Sequence, residues 1–272
     1  MGKSDIKFLN KFPEVKTEFG RINFILEKCK NKKVLHLGCV DEGLTLERIK
    51  NKSLLHLQLL EIAKEVWGVD ISENGIKTLE NQGIGNLVVG DIEHIDQISE
   101  LKNEKFDIIL LTEVLEHLNN PGLFLTNVKK IFGQETIMII TVPNGLRFTG
   151  LGSVIKGYEF VHPDHNYWFS YKTLCTLLQK NHFQIEEIRV YTLFDHTVSL
   201  SKKICQKIKN ECTNEKINNK NPLNMQNRFT SKNQLSKIPS PQYFIEFIIR
   251  RLIYRKNPFF VSDGIIAVVK PQ

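Results

Sequence analysis

The segment Lys32–Gly43, K-K-V-L-H-L-G-C-V-D-E-G, constrains the fold more than any other part of the chain. Its apolar run Val34, Leu35 and Leu37 closes on Gly38, and a second glycine follows at Gly43. A short apolar run ending on glycine reads as a buried strand entering a tight turn, where backbone must approach something closely. In an α/β protein the carboxyl end of the first strand is where a nucleotide-like ligand sits. Three landmarks follow: V-W-G-V-D ending at Asp70, L-V-V-G-D ending at Asp91, and F-D-I-I-L-L-T-E-V-L-E-H-L from Phe106 to Leu118.

Strand and helix patterns alternate along the chain. Strands are predicted over Lys33–Gly38, Val66–Asp70, Leu87–Asp91, Phe106–Thr112, Thr136–Val142, Phe183–Thr192 and Gly264–Val269. Between them, helical patterns cover Leu44–Lys64, Ser72–Gln82, Ile95–Leu101, Pro121–Phe132 and Ser170–Asn181, with Ser72 and Ser170 as N-caps. A further helix is expected to start near Glu113. Ahead of the first strand, Val15, Phe19, Ile22, Ile25 and Leu26 recur at helical spacing and predict an amphipathic helix over Pro13–Lys30. Leu146–Asn166 reads as an irregular, aromatic-rich excursion. Strands alternating with helices imply a parallel sheet with right-handed crossovers.

The five cysteines are an odd number with no C-x-x-C pair, as in a reduced, cytoplasmic protein. The first residues lack the apolar stretch of a signal peptide, and no apolar run reaches the roughly 20 residues of a membrane span. The net charge of +7 is concentrated: residues 201–240 hold nine basic and two acidic side chains. That segment is also poor in large apolar groups, so it buries too little to offset its ordering entropy. The expected organisation is one domain over 1–200 and 243–272, with a basic insertion over 201–242 that is a mobile lid or disordered. Beyond it, Phe244–Tyr254 has an apolar face (Phe244, Ile248, Leu252), with Arg250, Arg251, Arg255 and Lys256 toward its end. Residues 202–256 therefore suggest peripheral contact with an anionic membrane. Nucleic acid is disfavoured as a partner, because the basic segment nearly lacks aromatic stacking platforms.

The ordered set V-L-H-L-G-C, V-W-G-V-D-I, V-V-G-D-I-E, F-D-I-I-L-L-T-E-V-L-E-H-L-N-N-P-G, I-I-T-V-P-N and H-N-Y-W-F-S-Y-K-T-L resembles class I S-adenosylmethionine-dependent methyltransferases. The subgroup it most resembles holds ubiquinone-pathway O-methyltransferases and bacterial glycan-linked methyltransferases. The resemblance implies a Rossmann-like α/β fold with helices on both faces of a seven-stranded mixed sheet. Its strand order would be 3-2-1-4-5-7-6, with the last strand antiparallel. It also implies that Gly38, Cys39, Asp70, Ile71, Asp91, Ile92 and Glu113 bind S-adenosylmethionine. Gly38 lets the methionine part lie on backbone, Asp70 accepts from the ribose hydroxyls, and Asp91 accepts from the adenine amino group with Ile92 beside the ring. The acceptor implied is a hydroxyl on a small molecule or glycan. The chain departs from the family at His36, where aspartate is common, and at Val40 and Glu42, where glycines are common.

Glu113, Glu116 and His117 fall at i, i+3 and i+4, which on a helix puts all three on one face. Two carboxylates and an imidazole there would hold a divalent ion, with oxygen ligands favouring Mg2+. Similar segments in the ubiquinone-pathway enzymes and in small-RNA 3′-terminal 2′-O-methyltransferases imply the same. His165, in H-P-D-H, is a fourth ligand or a general base, and His117 is the other catalytic candidate. Without a metal, the two glutamates would serve the helix N-terminus and His117 would pack. Tyr158, Tyr167 and Trp168 are candidates for a stacking wall. Three other readings remain open: an RNA or other nucleic-acid methyltransferase, suggested by the basic segment; a non-catalytic module that keeps this fold; and an NAD-dependent oxidoreductase. Against the oxidoreductase, Val40 replaces the middle glycine of G-x-G-x-x-G, and Asp70 lies 32 positions after Gly38 rather than about 20.

Overall fold

The computed structural model describes residues 11–41, 43–155, 157–193 and 257–272. The basic insertion and the Phe244–Tyr254 pattern lie outside the described residues. Eight strands form one sheet: β1 Lys16–Phe19, β2 Lys33–Leu37, β3 Glu65–Asp70, β4 Leu87–Val89, β5 Ile108–Thr112, β6 Ile137–Pro143, β7 Phe183–Thr192 and β8 Gly264–Pro271. Their spatial order is β4-β3-β2-β5-β6-β8-β7-β1. All neighbours are parallel except β8, which runs antiparallel to both β6 and β7. The seven expected strands therefore take the expected order, and an eighth, β1, is added beyond β7.

That eighth strand corrects the Pro13–Lys30 helix. Lys16–Phe19 pairs with Arg189–Thr192 of β7, the chain turns at Gly20 with φ +70°, and only Ile22–Cys29 (α1) is helical. Phe19, counted toward the helical stripe, is 58% exposed. Arg189 bonds Glu18 on β1 and Glu187 on its own strand, a long-range tie that local spacing does not report.

The remaining corrections are local. The Leu44–Lys64 region is two helices, α2 (Thr45–Lys50) and α3 (Leu55–Ile62), broken at Lys52 with φ +52°. Ser72 caps α4 (Glu73–Glu80) as expected. Ile95–Leu101 is replaced by two 3₁₀ turns, Ile92–Gln97 and Ser99–Leu101. No helix starts at Glu113. That residue has φ +54°, and the chain turns until Asn120 caps α5 (Pro121–Val128) by accepting from the Leu123 N–H at 3.0 Å. Within the aromatic excursion lies α6 (Phe148–Ile155). Ser170 caps α7 (Tyr171–Lys180), and Pro258–Val261 forms α8 before β8. No helix among the described residues is long and apolar enough to cross a membrane.

Central strands are buried on both faces, which is why they read as continuous apolar runs. Leu35, Leu37, Ile109, Leu111, Phe124 and Phe183 belong to one core cluster; Phe24, Ile25, Val34, Leu110, Ile139 and Ile266 belong to a second. His36 lies between Leu35 and Leu37 on β2, opposite Gly68 of β3. A Cβ on Gly68 would stand 2.9 Å from His56 Cε1 and 2.8 Å from Cys39 Sγ, so the glycine makes room for both side chains. The two buried histidines meet Nδ1 to Nδ1 at 3.3 Å with their rings stacked. One donates to the other, so at least the accepting imidazole is neutral, with its proton on Nε2. Burial, and then the facing ring, holds His36 well below the ordinary histidine value; burial brings His56 down to about 4.

Truncating the aromatic core residue of α1, Phe24→Ala, is expected to cost about 3–5 kcal/mol in urea unfolding. A cost below about 1 kcal/mol would contradict its buried place. The histidine pair sets a second expectation. The unfolded chain protonates near pH 6.5 while the folded pair stays neutral, so stability is full above pH 6.5 and falls as pH drops from 6.5 toward 4. The slope approaches about 1.4 kcal/mol per pH unit for each histidine. His56→Gln should flatten that acid limb; parallel profiles for the two proteins would refute the assignment.

Candidate active site

A cavity of about 630 Å³ opens at the carboxyl ends of β2, β3, β4 and β5. Gly38 shapes its first wall. It has φ +71°, and a Cβ there would lie 2.4 Å from Val114 Cγ2, so only glycine fits between β2 and the turn after β5. Asp70, buried at the end of β3, holds the facing loops. Its Oδ2 accepts from the Val40 N–H and its Oδ1 from the Ser72 N–H, each at 2.9 Å. Asp91 accepts from the Glu93 N–H at 2.9 Å and so starts the 3₁₀ turn after β4. Ile92 is buried there, whereas Ile71 stands exposed at the rim. Cys39 lines the cavity, but its thiol is buried with Leu54, Ile76 and Leu79, and burial pushes its pKa up.

The cavity lies where the chain leaves β2 for β3 on one side and returns to β5 on the other. This is the switch point at which open α/β sheets bind ligands. All seven residues expected to contact the cofactor, Gly38, Cys39, Asp70, Ile71, Asp91, Ile92 and Glu113, line it.

Two further residues there escaped the sequence reading. Glu93 is buried, and its Oε1 accepts from the N–H groups of Asn119 at 2.6 Å and Asn120 at 3.1 Å, tying the turn after β5 to the turn after β4. The signal was the Asn-Asn-Pro turn, whose amides need an acceptor. Arg21 reaches the cavity from the turn between β1 and α1, with its guanidinium carbon 5.6 Å from the centre of the Tyr191 ring and its Nε buried without a partner. The misread helix hid it.

The turn after β5 does not place Glu113, Glu116 and His117 on one helical face. Glu113 Oε1 accepts from the Thr141 hydroxyl at 2.7 Å, and the Tyr191 phenol lies near its carboxylate. Burial, and then the Glu113 charge, raises the Tyr191 pKa well above its ordinary value. Glu116 is 1% exposed and neither carboxylate oxygen has a hydrogen-bond partner. Burial first and Glu113 second push its carboxyl up to about 9. The Glu116 carbonyl meanwhile accepts from the Asn166 and Tyr167 N–H groups, docking the excursion onto this turn.

That docking gathers three imidazoles. Donor atoms of His117, His162 and His165 lie within 4.8 Å of one another, and Glu116 Oε1 is 4.0 Å from His165 Nε2. His117 Nδ1 meets the Asp164 carbonyl at 3.1 Å, so Nδ1–H donates and Nε2 is left as the basic atom. Burial lowers the His117 pKa; burial, then His117 and His162, brings His165 down to about 4. His117 and His162 line the cavity, and His165 does not. The aromatic wall does not form, since none of Tyr158, Tyr167 and Trp168 lines this cavity. Tyr167 instead donates to the Asn119 carbonyl at 2.9 Å, and Trp168 lines a separate apolar pocket with Leu146 and Arg147. The donor atoms that converge belong to His117, His162 and His165 rather than to the expected set of Glu113, Glu116 and His117, since Glu113 Oε1 is turned to the Thr141 hydroxyl.

Comparison with known proteins places this geometry. A family profile described as a methyltransferase domain matches residues 17–188. The chain is 26% identical over 172 residues to the ubiquinone biosynthesis O-methyltransferase of Bartonella quintana (strain Toulouse), covering 60% of this chain and 64% of that protein. It is 24% identical over 192 residues to the protein of the same name from Rickettsia bellii (strain OSU 85-389), covering 66% of this chain and 77% of the other. The match thus spans less than two thirds of the Bartonella protein. Among solved structures, a SAM-dependent methyltransferase from Archaeoglobus fulgidus superposes with a TM-score of 0.50 at 19% identity, over 92% of this chain and 91% of that one. The small RNA methyltransferase HEN1 gives 0.51 at 16% identity, over 93% of this chain and 25% of its own. These two share the fold. With a glycine-walled cavity at the switch point and a family profile over most of its sheet, the chain belongs to the methyltransferase-domain family.

Proposed function

We propose that the chain methylates a hydroxyl of a small-molecule or glycan-type acceptor. The observation that carries this reading is the imidazole cluster, with His117 and His162 lining the cavity whose other wall is Gly38 and Asp70. The names of the Bartonella and Rickettsia relatives support O-methylation. S-adenosylmethionine supplies an electrophilic methyl group when bound. In this reading Asp70 accepts from its ribose hydroxyls and Asp91 from its adenine amino group, while Ile92 packs on the ring. Gly38 admits the methionine chain against backbone. Arg21, a guanidinium with an unpartnered buried Nε, takes the methionine carboxylate.

The acceptor oxygen attacks the methyl carbon in line with the departing sulfur. The S–CH3 bond pair returns to sulfur as S-adenosylhomocysteine forms, and the hydroxyl proton is shed at the imidazole cluster. Positioning supplies much of the rate in such a displacement, and a proton acceptor of this kind adds about 10²–10⁴-fold.

The test is turnover of methyl-labelled S-adenosylmethionine with phenols, sugar nucleotides and lipid-linked glycans. Label recovered as a base-stable methyl ether is expected. His117→Gln should lower kcat by about 10²-fold or more while S-adenosylhomocysteine still binds. Label released by alkali as methanol, the mark of a carboxyl ester, would overturn the hydroxyl assignment.

A further inference from the structure

We propose that Glu93 is a positioning residue that links the two ends of the cavity, so that filling the adenine end orders the segment carrying His117. This linkage rests on the cofactor placement proposed above. Glu93 directly follows Asp91 and Ile92, the pair that receives the adenine in that reading. Its N–H donates to Asp91 Oδ1 at 2.9 Å, and its carbonyl accepts from Asn127 Nδ2 of α5 at 2.8 Å. The backbone of Glu93 is thereby held from two sides, and the residue is buried.

The carboxylate then reaches the turn after β5. Its Oε1 accepts from the Asn119 N–H at 2.6 Å and the Asn120 N–H at 3.1 Å. Neither amide has a backbone carbonyl partner among the described residues. A charged acceptor makes each bond stronger than a neutral one would. The carbonyls of the same stretch bond the excursion. Asn166 Nδ2 donates to the His117 carbonyl at 2.9 Å and to the Leu118 carbonyl at 3.3 Å, and the Tyr167 hydroxyl donates to the Asn119 carbonyl at 2.9 Å. Residues 117–120 are therefore clamped between Glu93 and the segment that bears His162.

This stretch belongs to no helix or strand, so side-chain bonds hold it where ladder bonds would elsewhere. A local opening that frees His117 from its place must break the Glu93 bonds or carry the Asp91–Glu93 turn with it. An adenine group on Asp91 and Ile92 restrains that turn, so the opening becomes rarer when the ligand is bound. In-line displacement is sensitive to misplacement of about 1 Å. The linkage sets the imidazole end of the cavity when the methyl donor is in place. The use made of that order in proton removal depends on the hydroxyl reading; the linkage does not.

The experiment is amide hydrogen exchange of the full-length protein, read by NMR, with and without saturating S-adenosylhomocysteine. The ligand should slow exchange at Asn119 and Asn120 by about 10-fold or more. In Glu93→Ala that slowing should shrink to less than about 2-fold, while slowing at the Val40 and Ser72 amides, held by Asp70, persists. Glu93→Gln keeps an acceptor oxygen and should restore the effect at Asn119 and Asn120. Slowing that survives in Glu93→Ala, or that Glu93→Gln does not restore, would overturn the proposal. In the wild-type protein, slowing at Val40 and Ser72 without slowing at Asn119 and Asn120 would overturn the linkage alone. Slowing at none of the four would overturn the cofactor placement together with it.

Discussion

The Asp70 carboxylate is the tie on which the active-site end of the sheet depends. It ends β3, yet one oxygen holds the Val40 amide after β2 and the other holds the Ser72 amide before α4. Hydrogen bonds to a charged group contribute about 1.5–3 kcal/mol each. Two of them fix loops that would otherwise present unpaired amides to the cavity. With those loops fixed, Gly38 can take its left-handed turn against Val114, and the cavity keeps a floor of backbone rather than side chains.

From that floor outward, each layer is held by a group from another part of the chain. Glu93 accepts the Asn119 and Asn120 amides, so the turn after β5 is pinned to the turn after β4. The Glu116 carbonyl accepts the Asn166 and Tyr167 amides, bringing the excursion and its two histidines to the cavity mouth. On the far side, the pairing of β1 with β7 puts Arg21 over Tyr191, whose phenol lies near the Glu113 carboxylate. The edge strand therefore has a structural consequence: it delivers a second cation, beside Arg48, to a cavity also lined by Asp41, Asp70, Asp91, Glu93 and Glu113.

The legible parts were those with local causes. Strands buried on both faces write themselves as apolar runs, and the glycine and aspartates ending them mark the cavity, so Gly38, Asp70 and Asp91 could be read directly. Ser72 and Ser170 announced their helices because capping is local. What stayed hidden depended on distant partners. Lys16–Phe19 is a strand only because β7 lies beside it. Glu113, Glu116 and His117 satisfy helical spacing, yet the chain turns there, with Glu113 at φ +54° anchored by Thr141 across the sheet. His162 joined the cluster only through the docking of the excursion on Glu116, and no spacing within H-P-D-H reports that contact.

The most direct test of this account is calorimetric binding of S-adenosylhomocysteine to the wild-type chain and to Asp70→Ala, with cooperative unfolding checked for both. Loss of two charge-assisted bonds at about 1.5–3 kcal/mol each predicts at least about a hundredfold weaker binding by a variant that still folds. Equal affinity in the two proteins would contradict the central role given to Asp70 and, with it, the placement of the cofactor in this cavity.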